Sequence, residues 1–225
     1  MISADVVIVG GGIQGLVLLD ELTRQGYGCL LVTKSDLGTG QTLHSHGLLN
    51  SGTGVLTGQL REPVEQALSF ARDRGLDLYG TDQWYALLPP PAFERLSRLG
   101  DASGYRYLET SPSSLPAGFE VGDGDTRVVA LEGYNFPKRQ LVWQLAAGHE
   151  HQIIRGDIAT VQRSHRDGLV NVDSVDISVA ATGATVPIAL SALVAATGTG
   201  TKRLVRSIVA GRRHNSTASR TRACT

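Results

Sequence analysis

Three glycines, Gly10, Gly12 and Gly15, stand behind the apolar run Val6–Val9 and ahead of an apolar-periodic stretch that begins at Leu16. In that setting each has its own use in holding a dinucleotide. Gly10 permits the turn out of the strand, Gly12 lets backbone approach a pyrophosphate, and Gly15 lets the helix lie close on the sheet. The N-terminus of the helix that follows offers free N–H groups and a positive dipole end to the phosphates, and Ile13 and Gln14, which lead into it, are candidate contacts. The competing reading of GGGIQG is a tight turn in an unrelated α/β protein.

A ribose normally meets Asp or Glu at the end of the second strand. Here that place is held by Thr33, followed by Lys34. A threonine hydroxyl bonds a ribose oxygen less strongly than a carboxylate does. Lys34 reads either as a cation for a 2′-phosphate or as a solvated lysine at a strand end. His44 and His46 are the next candidates, two histidines in a polar loop. His-x-His recurs at His149 and His151, but a metal needs further ligands, and no cysteine or carboxylate cluster accompanies either pair. His149–His151 therefore reads as a solvated helix end, and Asp123–Asp125 as a turn without the rest of a calcium loop. No metal is expected. Trp84 and Trp143 are scattered and form no stacking platform for bases.

These residues need elements to position them. Residues 4–9 read as a buried strand, 16–25 as a helix stopped by Gly26, and 28–33 as a second buried strand, which together make a βαβ unit with parallel strands. A long glycine- and threonine-rich segment follows, too polar for a core. Residues 62–73 look helical, with Pro63 suited to the first turn. Residues 81–136 hold short strand-like pieces and the turn clusters LPPP, SPSSLP and GDGD, and 137–147 reads as a helix. Short alternating runs over 152–190 read as a β-meander. SALVAATGTG, from 191, reads as a further buried strand. The expected fold is α/β, a Rossmann-like domain with a β-meander and a partial α+β lobe. Its boundaries are 1–80 with 141–205 for the discontinuous nucleotide-binding domain, 81–140 for the lobe, and 206–225 for a disordered tail.

Bulk properties narrow the class. The 225 residues carry 21 basic and 21 acidic side chains, with a mean hydropathy of −0.03. Such a balance gives no global field for nucleic acid or an anionic membrane. Two cysteines make no disulfide framework, and no stretch is apolar for long enough to span a bilayer. A cytoplasmic protein acting on a small-molecule substrate is expected.

The stretches VVIVGGGIQGLVLLDELTRQGYGCLLV and DLGTGQTLHSHGLLNSG resemble the FAD-dependent oxidoreductases of the D-amino-acid oxidase and glycerol-3-phosphate dehydrogenase group. Gly38, Gly40, Thr42, Gly47 and Gly52 match that family's small-residue segment, which lies against the flavin. YNFPKRQLVWQLAAG is similar to the helix after the first lobe segment, and SALVAATGTGTKRL to the strand and turn, Thr197 and Gly198, that return to the cofactor. The resemblance implies FAD, held by these residues together with Gly10–Gly15, Thr33, Lys34, His44 and His46. It implies oxidation of a CH–NH or CH–OH donor. In dimethylglycine and sarcosine dehydrogenase relatives a T-x-H-x-x-G-L stretch carries a histidine bonded covalently to flavin. TLHSHGL matches it with His44 at that position and Leu43 in place of the usual tryptophan, and the alternative is a loop beside a noncovalent flavin. Family members generally continue well beyond this point, so the chain looks like an N-terminal half. It is either a truncated enzyme, one part of a split enzyme completed by a second chain, or a non-catalytic remnant. The resemblance assigns no catalytic acid or base within it.

Overall fold

A computed structural model describes residues 2–45, 47–49, 62–76, 79–103, 107–119, 121, 125–166 and 168–210. In chain order the elements are β1 Ile2–Val9, α1 Ile13–Arg24, β2 Cys29–Thr33, α2 Gln41–His44, β3 Leu48–Leu49, α3 Glu62–Asp73, β4 Tyr79–Leu88 and α4 Pro90–Ser103. There follow β5 Tyr107–Thr110, β6 Arg127–Asn135, α5 Lys138–Ala146, β7 Ile153–Arg166, β8 Leu169–Val179, β9 Thr185–Ala195 and α6 Thr201–Ala210. They fall into two compact units, Met1–His44 with Val142–Thr225, and Ser45–Leu141.

The first unit is built on β1. Val6 to Val9 are all buried, the continuous apolar run that a parallel strand covered on both faces requires. Parallel neighbours flank it, β2 with Val6 opposite Cys29 and β9 with Ile8 opposite Val194. Strand β7 continues the parallel set through Leu31 opposite Ile153. Antiparallel β8 then joins β7 to β9, so the path β1–β2–β7–β8–β9 closes as a barrel. The sequence suggested separate runs at 185–190 and from 191. They are one strand, whose first half belongs to the meander and whose second half lies beside β1. Val7, Val9, Val32, Ile177, Ile188 and Leu204 share one core cluster.

Helix α1 buries Leu16 and Leu19 completely, each contributing about 2 kcal/mol relative to an exposed side chain. Its end follows from Gly26. That residue adopts φ +90°, and its N–H and that of Tyr27 return to the carbonyls of Thr23 and Leu22. This is the paired-bond stop that a left-handed glycine allows. Helix α6 runs through Ala210, so residues 206–210 are helical where the sequence suggested tail. Residues 211–225 lie outside the described residues.

In the second unit β6 is central, antiparallel to β3, β4 and β5. Leu88, Leu96, Val129 and Leu131 form its core, and Phe93 meets Tyr107 edge to face at 6.3 Å. The prolines at 89–91 read as a turn in the sequence, but they open α4. Proline is favoured at the start of a helix because the first N–H groups have no helical partner there. The second unit begins at Ser45, so α3 falls within it.

Candidate cofactor-binding site

The glycines of the first turn divide by what the fold demands of them. Gly10 has φ +124°, and a side chain on it would overlap the carbonyl of Ala196. A side chain on Gly15 would overlap the carbonyl of Gly10, and one on Gly11 would come within 2.5 Å of Thr33 Oγ1. All three are glycine for reasons internal to the protein. Gly12 differs. Its φ of −80° and ψ of 178° suit any residue, and an added Cβ would meet only Thr42 Oγ1, at 3.4 Å. Gly40 is equally open, with nothing within 4 Å of an added Cβ. Neither glycine is required by packing, and at Gly12 the bare backbone leaves room for a ligand to approach the helix end.

The loop after β2 is fastened to this turn. Gly38, at φ +74°, donates its N–H to the carbonyl of Gly11 at 2.8 Å, and Leu43 returns to the carbonyl of Gly38 at 3.0 Å. Gly12 is the N-cap of α1 and has no side chain to cap it. Thr42 supplies that missing acceptor, taking the N–H of Ile13 on Oγ1 at 3.0 Å. Gln14 and Gly15 then carry the remaining first-turn N–H groups at the positive end of the helix dipole. The returning strand closes the third side. Ala196 donates to the carbonyl of Val9, Thr197 Oγ1 lies 3.2 Å from Thr201 Oγ1, and a side chain on Gly198 would come within 3.1 Å of Gln41 Oε1.

The end of β2 is tightly engaged. Thr33 is buried, and its hydroxyl donates to the carbonyl of Ser35 at 3.0 Å, which leaves its oxygen as an acceptor. Lys34 pairs with Asp157, and Arg155 with Asp36, both at 2.8 Å. His44 ends α2 on the surface. His46 and Gly52 lie outside the described residues. Gly47 is in the second unit, where φ +76° and the nearby Phe136 carbonyl and Lys138 side chain account for glycine. A cleft of about 430 Å³ lies along α1, lined by Ile13, Val17, Leu18 and Val194 among others.

His149 is not the solvated helix end that its sequence neighbourhood suggested. Its side chain is 12% exposed. Nδ1 lies 2.7 Å from Gln152 Oε1 and Nε2 lies 3.4 Å from Asp20 Oδ1, while the Gln152 amide donates to Thr23 Oγ1 and the Cys29 carbonyl. This network ties α1 to the entry of β7. No group of three or more metal-ligating side chains occurs among the described residues.

The FAD-dependent oxidoreductase family model, DAO, matches residues 5–222. The chain belongs to that family of FAD-dependent oxidoreductases. A probable FAD-dependent oxidoreductase of Pseudomonas aeruginosa is 45% identical over 62 residues, covering 25% of this chain and 16% of that protein. One component of the anaerobic glycerol-3-phosphate dehydrogenase of Haemophilus influenzae is 41% identical over 51 residues, 23% of this chain and 9% of that protein. Among solved structures, L-proline dehydrogenase from P. horikoshii superposes with a TM-score of 0.69 at 13% identity, over 92% of this chain and 56% of that one. The chain thus spans little more than half of that relative's length. This member keeps the family's α/β fold and FAD as its cofactor.

Proposed function

We propose that the chain holds FAD with its pyrophosphate over Gly12, as the cofactor-binding part of an oxidoreductase acting on a CH–NH or CH–OH donor. Gly12 carries this reading, as a glycine that the fold itself does not require. In it, the N–H groups of Gln14 and Gly15 bind the phosphates, Thr42 fixes the helix end, and the Thr33 oxygen accepts from a ribose hydroxyl. Gly40, Thr197 and Gly198 line the same side, and His44 borders the flavin without bonding to it. A 2′-phosphate would have to displace Asp157 from Lys34, which favours FAD over NADP. FAD, when bound, accepts a hydride from the substrate carbon. Anaerobic mixing of the FAD-loaded chain with amino acids, N-methyl amino acids and 2-hydroxy acids tests the activity, and bleaching of the flavin bands is the expected result.

A second reading is a cofactor-binding component that needs another chain. One observation favours it. Beyond Ala189, β9 keeps β1 on one side and no described strand on the other, and the apolar cleft along α1 lies beside this edge. A parallel edge that no described strand covers is a seat for a further strand. FAD bound without bleaching by any of these donors would support this reading over an enzyme active alone.

A further inference from the structure

The zero net charge conceals a strong segregation. Asp176 is the last acidic residue of the chain, and from 177 to 225 there are seven Lys and Arg and no Asp or Glu. All 21 acidic residues therefore lie before the three cations of α6, Lys202, Arg203 and Arg206. Helix α6 turns Leu204 inward, 3% exposed, and Ile208 packs against the barrel core. Arg163 Nη1 donates to the carbonyl of Ile208 at 2.8 Å and also to that of Val209. This caps the helix C-terminus and fixes which way the helix faces.

The outward face is an i, i+3, i+4, i+7 stripe of Lys202, Val205, Arg206 and Val209. Val205 is 44% exposed and Val209 60%, with the two cations exposed beside them. We propose that this face docks the protein peripherally on an anionic phospholipid surface. Phosphate headgroups satisfy the cations, whose aliphatic stems lie along the valines, and the valines enter the boundary between headgroups and acyl chains. A nucleic-acid backbone would meet the same cations but would gain nothing from the two valines. The attachment is peripheral, since no described helix is long and apolar enough to cross a membrane.

Flotation of the full chain with vesicles tests this. Phosphatidylcholine alone should bind little. Vesicles with about 30% phosphatidylglycerol should bind at least about tenfold more, and that gain should vanish at about 0.5 M salt through screening. Lys202→Glu with Arg206→Glu should lower anionic binding at least about tenfold, and Val205→Ser with Val209→Ser about threefold or more. Circular dichroism and melting temperature should stay unchanged in both pairs. Equal binding to neutral vesicles, no binding, or full binding by the folded charge-reversal pair would overturn the proposal. So would an undiminished valine pair, or a duplex DNA bound through the same face in place of vesicles.

Discussion

Thr42 Oγ1 lies 3.0 Å from the backbone nitrogen of Ile13, 29 positions earlier in the chain. A residue of α2 thereby does the work of a helix cap that glycine at position 12 cannot do. Leaving Gly12 bare keeps the approach to the helix end open, and Thr42 restores the lost hydrogen bond from the side.

Replacing Thr42 by Val keeps the shape and removes the acceptor. The variant should lose about 1 kcal/mol of stability, the usual size of a lost N-terminal cap, and bind FAD more weakly. Thr42→Ser should retain both properties. Thermal melts and flavin fluorescence titrations of the two variants measure this, and equal losses would remove the hydroxyl from the account.

His149→Ala should cost about 1–2 kcal/mol, because it strips Gln152 and Asp20 of a partner in a half-buried network. Urea unfolding monitored by circular dichroism gives the value. Stability within about 0.5 kcal/mol of the parent, the range of an ordinary surface change, would mean that the network holds nothing together.

Burial pushes the Cys29 thiol pKa up, with the Asp5 charge adding to it and a hydrogen bond with Thr23 opposing it. The folded state therefore favours the neutral thiol. That stability is fully present below the ordinary thiol range and is lost as pH rises from there through the raised folded value. Mass spectrometry after mild alkylation at neutral pH should find the Cys29 peptide unmodified until urea is added. Rapid labelling of the native protein would contradict its buried position.

Acid precipitation decides the role of His44. At the exposed end of α2 the expected outcome is release of the flavin into the supernatant, with His44→Ala weakening binding modestly. Colour that stays with the parent precipitate and leaves with the variant would establish a covalent bond instead.

The sequence made the β1–α1–β2 unit legible because everything that specifies it is local. Val6–Val9 read as a buried strand, Leu16 and Leu19 lie on one helical face, and Gly26 stops the helix. What stayed hidden depends on partners distant in the chain. His149 meets Asp20 across 129 positions, and no spacing rule links them. The double use of β9 could not be read because one strand pairs first with β8 and then with β1. The prolines at 89–91 misled because proline is a breaker inside a helix yet suits its first turn. The glycine motif was visible, but not which of its glycines the fold spares. That distinction needs the neighbours at Ala196, Thr33 and Gly10.

The most direct test of FAD binding at this turn is the flavin stoichiometry of Gly12→Val beside the parent protein after incubation with excess FAD and removal of the unbound cofactor. A Cβ added at this position would meet only Thr42 Oγ1, at 3.4 Å, an ordinary contact, so the variant should fold, with a melting temperature close to the parent's. It should carry no flavin, because the side chain occupies the space of the pyrophosphate, while the parent retains close to one FAD per chain. A folded Gly12→Val protein that keeps its flavin would place the phosphates elsewhere and contradict the assignment.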